Sequence, residues 1–520
     1  MPSTTSTATA RFRGIGRPLP DGRGSDRSHD RKGVPVLPGA TVVSLFLLSG
    51  CMVGPNYKRP TVNAPAAFRG APGSAQQASF ADLPWWEVFK DESLRELIKT
   101  SLANNYDLDA AIARVEQARQ IAATARSQYF PAINYSSATT YGHNQFINSP
   151  ASNSAGAQGF FLGVASATWE ADVWGRIRRT NEAARAQYLA TEEARRGVML
   201  TLASDVSQAY FELLGLRLQR DIARETTQSY TATLKLFSDR LREGLGNALQ
   251  TSRATADLAT SAASVEDLER LIALKENQIS VLMGKNPGTI ETKIKLLEES
   301  VPPTIPAGLP SALMERRPDI LAAAERVRYA NAQIGVAKSD YFPRIGLTTF
   351  FGKLSTPLAD LTSGNTNAWS LGANASGPIF RGGALRAQRR QAVAYWEEAK
   401  AQYMQTAVGA FRDVADALVS REKFDSVREE LIRGVQASEE AVRLARTRYL
   451  EGLSNYNEVL EAQQRLYPIQ LALAQTEINR RLVVVQLYKA LGGGWNLTDA
   501  QWMAANTPAG AQHPPAPRKP

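Results

Sequence analysis

A chain of 520 residues with one cysteine and three histidines has little scope for thiol or metal chemistry. Cys51 has no partner for an intrachain disulfide. His29, His143 and His513 cannot complete a recognisable zinc set with it. G-x-S-x-G and H-E-x-x-H are both missing, and Gly284-Lys285-Asn286 lacks the glycine-rich lead of a phosphate loop. The chain is therefore read as no enzyme, with no catalytic and no metal-binding residue. After Cys51 no apolar run reaches the ~20 residues of a spanning helix, and mean hydropathy is −0.27. A membrane crossing would have to use strands, whose alternation barely raises hydropathy. The net charge of +10 falls partly in an arginine-rich prefix and in Arg518-Lys519. The remaining basic residues are interleaved with acids, as in ELIRGVQASEEAVRLARTRY, which excludes a nucleic-acid partner.

The position of the cysteine carries the first positive signal. Arg31 and Lys32 precede an apolar stretch, Val34 to Leu48, that ends in small residues. That is the order of an export signal. Leu48-Ser49-Gly50-Cys51 resembles the bacterial lipobox, which implies an S-diacylglycerol and an N-acyl chain on Cys51 and removal of residues 1–50. Several acyl chains hold a membrane more firmly than the marginal grip of one. Within the removed segment, Met1–Asp30 reads as an unusual polar extension, either an over-called start or a stretch without structural role.

Self-comparison aligns DLDAAIARVEQARQIAATARSQYFP (107–131) without a gap to DILAAAERVRYANAQIGVAKSDYFP (319–343), with about eleven identities. REGLGN (242–247) pairs likewise with LEGLSN (450–455). The chain reads as two copies of one unit. Each copy opens with an Ala-rich helix stopped by Tyr-Phe-Pro. Segments of period two follow, as in Trp369, Leu371, Ala373 and Ala375 alternating with Ser370, Gly372, Asn374 and Ser376.

Next comes a long proline-free run in which apolar residues recur every four and three positions. In copy one the series passes Leu202, Val206, Ala209, Leu213, Leu216, Arg220, Ala223, Tyr230 and Phe237; in copy two it passes Ala410, Val414, Ala417, Arg421, Phe424, Arg428, Leu431, Val442 and Tyr449. Such spacing predicts a left-handed coiled coil. Arg220 and Arg428 share one slot of the series. Gly244, Gly246 and Gly452 mark the turns at the far tip, where a second helix returns.

Four strands cannot close a barrel, and an open sheet edge cannot lie in lipid. Two chains would supply eight strands, which fill with their own side chains, so a channel needs about three protomers.

PWWEVFKDESLRELIKTSLANNYDL (84–108), LPSALMERRPDILAAAERV (309–327), both Tyr-Phe-Pro ends and EGLSNYNEVLEAQQRLY (451–467) resemble the TolC-like outer-membrane factors. The likeness is to their lipoprotein (NodT-like) branch, which serves tripartite RND-type efflux systems. The fold this implies is an α+β membrane protein, a homotrimer with a 12-stranded outer-membrane β-barrel, four strands per chain, continued by a 12-helix periplasmic coiled-coil α-barrel. The organisation expected is a signal segment 1–50, an anchor and N-terminal equatorial segment 51–95, repeat one over 96–308, repeat two over 309–495 and a flexible tail 496–520. Repeat one would hold a hairpin about 132–174, a long helix about 176–243 and a return helix about 249–283. In repeat two the corresponding spans are about 344–380, 382–451 and 456–491.

The implied function is a passive exit duct for small molecules, drugs and toxic compounds, anchored in outer-membrane lipid. Its implied partners are a periplasmic adaptor and an inner-membrane RND-type pump, and the covalent lipid is the only non-protein group. The family closes its periplasmic tip with rings of an aspartate and a bulky apolar residue; the matching positions are Glu461 and Asn457, and both depart, the acid by a methylene and the plug to a polar amide. Two other readings fit parts of the pattern. One is the duct of a type I protein secretion system. The other is a periplasm-spanning structural lipoprotein without a channel, which leaves the four period-two segments without a purpose.

Overall fold

The computed structural model describes residues 52–71, 79–88, 90–142, 158–298, 306–355, 357–363, 366–498 and 501–502. Leu48, Ser49, Gly50 and Cys51 lie outside them.

Helix α1 (Glu92–Asn104) is capped by Asp91, whose carboxylate accepts the Ser93 N–H. Asn105 ends α1 and caps α2 (Tyr106–Ser127), accepting from the N–H groups of Asp107 and Leu108. Strand β1 (Ala132–Gly142) follows directly on Pro131, and β2 (Gln158–Ala171) comes next. Helix α3 (Arg176–Arg242) then runs for 67 residues, about 100 Å at a 1.5 Å rise. Helix α4 (Ala248–Leu282) returns along it. The second half presents α5 (Pro318–Ser339), β3 (Arg344–Ser355), β4 (Asn367–Ser376), α6 (Ala384–Leu450) and α7 (Tyr456–Ala490) in the same order. The β3–β4 connection is not irregular throughout, because Leu358–Ser363 forms a short helix, and the Thr366 hydroxyl bonds to the Asp360 carbonyl.

The four strands form one antiparallel sheet in the order β1-β2-β3-β4. Its register runs Tyr135 opposite Ala165, Ala165 opposite Phe351 and Phe351 opposite Trp369. Since paired residues share a face, Tyr135, Trp169, Leu347, Phe351, Trp369 and Leu371 all project from one side. Asn134, Ser136, Thr168, Glu170, Thr348 and Asn374 project from the other. The apolar exceptions larger than alanine on that second side, Phe160, Leu162, Val164, Phe350 and Leu354, lie in the half of the sheet away from the long helices. Two of the four strands, β1 and β4, leave an edge unpaired.

Along α3 the heptad residues Leu202, Val206, Ala209, Leu213, Ala223, Tyr230 and Phe237 are buried, as are Ala410, Val414, Ala417, Arg421 and Ala445 of α6. One large core gathers the middle of α3 and the C-terminal part of α7 with Phe80, Trp85, Leu94, Ile98, Ile290, Leu296, Leu313 and Trp502. Side chains of this size contribute about 2–3 kcal/mol each when fully buried. They join segments far apart in sequence into one belt around the helices. A second, smaller core at the tip holds Tyr230, Phe237, Ala254, Tyr456, Val459 and Leu460.

Candidate functional site

The helix tips are built by two matching turns. Gly244 and Gly452 adopt φ of +76° and +74°, a region that favours glycine. Behind each, the next residue's N–H returns to the last turn: Leu245 to the Arg240 carbonyl and Leu453 to that of Arg448. Gly246 has ordinary φ but no room, since a Cβ there would lie 2.5 Å from the Leu241 nitrogen. Asn247 and Asn455 then cap the return helices.

Just beyond the second turn, Tyr456 packs edge-on against Phe237 at 4.4 Å and Tyr449 at 4.9 Å. Its hydroxyl meets that of Thr233 at 2.7 Å. These contacts tie α7 to both α3 and α6. Burial raises the Tyr456 phenol above its ordinary value, and raises that of neighbouring Tyr230 to about 12.

Asn457 and Glu461 lie one turn apart on α7 and line a groove of roughly 430 Å³ with Arg253, Ala256, Asp257, Leu460 and Gln464. The groove separates α4 from α7, and Gln464 bridges it by donating to Asp257 at 3.2 Å. Glu461 is exposed and pairs with Arg465 at 2.6 Å. The charge of this face is thus set by Arg253 and Arg465 as well as by Asp257 and Glu461. Exposed pairs of this kind contribute about 0–1 kcal/mol.

At the opposite end of α3, the first residues after Cys51 are held by Arg179. This guanidinium is 1% exposed. It donates to the carbonyls of Val53 and Gly54 at 3.3 and 3.2 Å, to Asn56 at 3.1 Å and to Glu182 at 2.7 Å. The Val53 N–H donates in turn to the Trp174 carbonyl. Gly54 has φ +101° and sits so close to α5 that a Cβ would lie 2.6 Å from the Gly335 Cα. Met52 lies against Gly175, the residue that starts α3. The strap then descends past α5, where the Tyr57 hydroxyl donates to the Ala324 carbonyl. Burial, then the Glu325 carboxylate, pushes the Tyr57 phenol up to about 12.

Between these ends, Glu477 of α7 is 4% exposed. It accepts from Arg428, from Arg480 at 3.1 Å and from Arg481 at 2.9 Å. Burial alone would raise its carboxyl, but the hydrogen bonds from Arg428 and Arg481 prevail and hold it below the usual carboxylate range. Neither Arg179 nor Glu477 stands out in the sequence, since each lies in a polar run of helix. The only mark near Arg179 is Gly335, a lone glycine inside an Ala-rich helix.

Among the described residues no cluster of His, Cys, Asp and Glu could hold a metal, and no helix is long and apolar enough to cross a membrane.

The sequence pattern of the family described as "Outer membrane efflux protein" matches residues 97–285 and 309–493. OprJ, an outer membrane protein of Pseudomonas aeruginosa, is 34% identical over 460 residues, covering 86% of this chain and 94% of its own. The probable outer membrane lipoprotein SilC of Salmonella typhimurium is 30% identical, covering 88% of this chain and 98% of its own. The solved outer-membrane channel OprN superposes with a TM-score of 0.79 at 30% identity, covering 86% of this chain and 100% of the other. With matches across both halves and over nearly the whole length of these relatives, the chain belongs to the outer membrane efflux protein family, non-enzymatic ducts of the outer membrane.

Proposed function

We propose that three copies of this chain close a 12-stranded barrel in the outer membrane, continued into the periplasm by a coiled-coil α-barrel of 12 helices, and that small molecules leave the cell through it. The observation that carries this reading is the sheet. It has one apolar face suited to lipid, one largely polar face suited to a wet lumen, and two unpaired edges that lipid cannot satisfy. Long paired helices leave the same end of the sheet and give the duct its length. The two halves act as structural repeats, so that each protomer supplies two sectors of the ring.

Cys51 carries the lipid in this reading. Residues 52–54 are fastened to Trp174, Gly175 and Arg179 at the junction of strands and helices, and this supports an acyl anchor at the bilayer surface. The tip residues Asn457 and Glu461 form the periplasmic constriction. A periplasmic adaptor and an inner-membrane RND-type pump complete the pathway and supply its energy. Native mass spectrometry of the lipidated protein in detergent tests the assembly. A trimer is expected, and a stable monomer that conducts ions in planar bilayers would refute the shared barrel.

A further inference from the structure

The two halves of the chain correspond residue by residue, Asp107 with Asp319 and Gly175 with Gly383. At those offsets the β1–β2 pair Ala132–Thr168 becomes Arg344–Ser376, which is the observed β3–β4 register. Likewise α2 packs on α3 as α5 packs on α6, and α3 on α4 as α6 on α7. Among the repeated elements three associations inside the chain lack a counterpart: β2 with β3, α3 with α5, and α3 with α7. Their counterparts would join β4 to β1, α6 to α2, and α6 to α4.

The sheet order forbids the first of these within one chain, because β1 and β4 are its opposite edges. Exposure marks the same surfaces. Ala183, Ala186 and Ala190 of α3 are buried, while their equivalents Gln391, Ala394 and Glu398 of α6 are exposed. Ala324, Asn331 and Ala332 of α5 are buried, while Ile112, Arg119 and Gln120 of α2 are exposed.

We propose that β4 of one copy pairs antiparallel with β1 of the next, with Leu371 opposite Tyr141, Ala373 opposite Thr139 and Ala375 opposite Ser137, and that α6 seats on the neighbouring α2 with Arg390 against Glu116. The inference rests on the assembly reading above and adds its register. The strand pairs are the observed pairs Gly163–Lys353, Ala165–Phe351 and Ala167–Thr349 carried to the other copy. They keep Leu371 and Tyr141 on the apolar face of Tyr135 and Phe351, whereas a slip of one residue would send one of them to the polar side. The helix pair is Glu182–Arg328, 3.9 Å apart within the chain, carried over in the same way. Both positions change sign together, arginine for glutamate and glutamate for arginine, so the attraction survives the exchange. Arg390 and Glu116 are both exposed in the single chain.

Disulfide trapping in the full-length lipidated protein tests the register, with Cys51, the one native cysteine, committed to lipid. Residues directly opposite in an antiparallel pair lie about 4.5–5.5 Å apart, within disulfide reach, and the diagonal ones about 7–8 Å apart, outside it. Ala373→Cys with Thr139→Cys should give a covalent trimer on non-reducing denaturing gels. Ala373→Cys with Ser137→Cys should run as a monomer. Within one chain these positions lie three strand spacings apart, about 14 Å, and cannot bridge. Native trimers in which the Thr139 pair fails to bridge, or the Ser137 pair bridges in its place, would overturn the register and leave the assembly standing. A monomer by native mass spectrometry would fell the assembly itself. For the helix contact, Arg390→Glu should lower the temperature at which trimers dissociate by several degrees, and adding Glu116→Arg should restore it. Failure of that rescue in otherwise intact trimers would remove Arg390–Glu116 from the interface.

Discussion

The guanidinium of Arg240, at the end of α3, stacks 5.2 Å from the ring centre of Tyr449, near the end of α6, and donates to its hydroxyl. The two residues belong to different helical hairpins, so the contact fastens the hairpins together at the tip. An exposed cation–π contact contributes roughly 0.5–1 kcal/mol, which corresponds to about two- to five-fold in an equilibrium. Arg240→Ala should therefore raise the open fraction of single channels in planar bilayers by that factor. Tyr449→Phe, which keeps the ring and removes the hydroxyl, should have a smaller effect. Equal open fractions in wild type and Arg240→Ala would show that the hairpins are held by other contacts, first among them Tyr456 with Phe237.

Glu461→Ala is expected to raise conductance and weaken cation preference, because it leaves Arg465 without its acid on a face that also carries Arg253. Asn457→Leu should lower conductance by adding an apolar side chain that dewets the constriction. Planar-bilayer currents from wild type and both variants in one salt decide this. If conductance and ion selectivity stay unchanged in both, this face of α7 lies outside the pore and the gate belongs to another turn.

The coiled-coil seam was legible because its residues leave a mark that survives without coordinates. Apolar side chains at four-three spacing, Leu202 through Phe237, must share one face of a helix, and the structure buries most of them. The strands were legible for a similar reason, since period two has few other meanings. Charge placement was not legible. Arg176, Arg178 and Arg179 look alike in sequence, and which of them turns inward depends on a strap more than a hundred residues earlier. Arg428 occupied a slot of the series open to either a core or a solvated edge position, and its partner Glu477 lies on another helix 49 residues away, with no local rule to connect them. The short helix Leu358–Ser363 was hidden among glycine, serine and asparagine, which usually signal an irregular loop.

Arg179→Ala should release the strap. The substitution leaves Glu182 with only the longer contact to Arg328 and removes the donors to two carbonyls and Asn56, and loss of one partner of a buried pair costs about 3 kcal/mol. Limited proteolysis of purified protein should cut within residues 52–59 in the variant and spare wild type. Intact mass of the mature N-terminus should show a diacylated or triacylated Cys51 in both. An unmodified Cys51 or a retained Met1 in the membrane fraction would discard the lipid anchor, and equal protease resistance would discard the clamp.

The pH dependence of the α6–α7 pair follows from Glu477. Folding holds its carboxyl below the ordinary value of 4.5, so the unfolded chain binds its proton more readily than the folded one. The stabilisation is complete above the unfolded value and is lost as pH falls through the lower folded value. Asp425 takes part in the same network, accepting from Arg480 at 2.7 Å and pairing with Arg421 at 3.1 Å. Glu477→Gln preserves the shape but leaves Arg428 and Arg481 without their anion, at a cost of about 3 kcal/mol for a buried pair that loses one partner. At pH 7 thermal unfolding followed by circular dichroism should therefore place the variant several degrees below wild type. As pH is lowered from 5 to 3 the wild type should lose stability faster, and the two curves should converge. Parallel curves across that range would mean that folding leaves the Glu477 carboxyl at its ordinary value, and the arginines around it would then be held chiefly by Asp425 and the helix carbonyls.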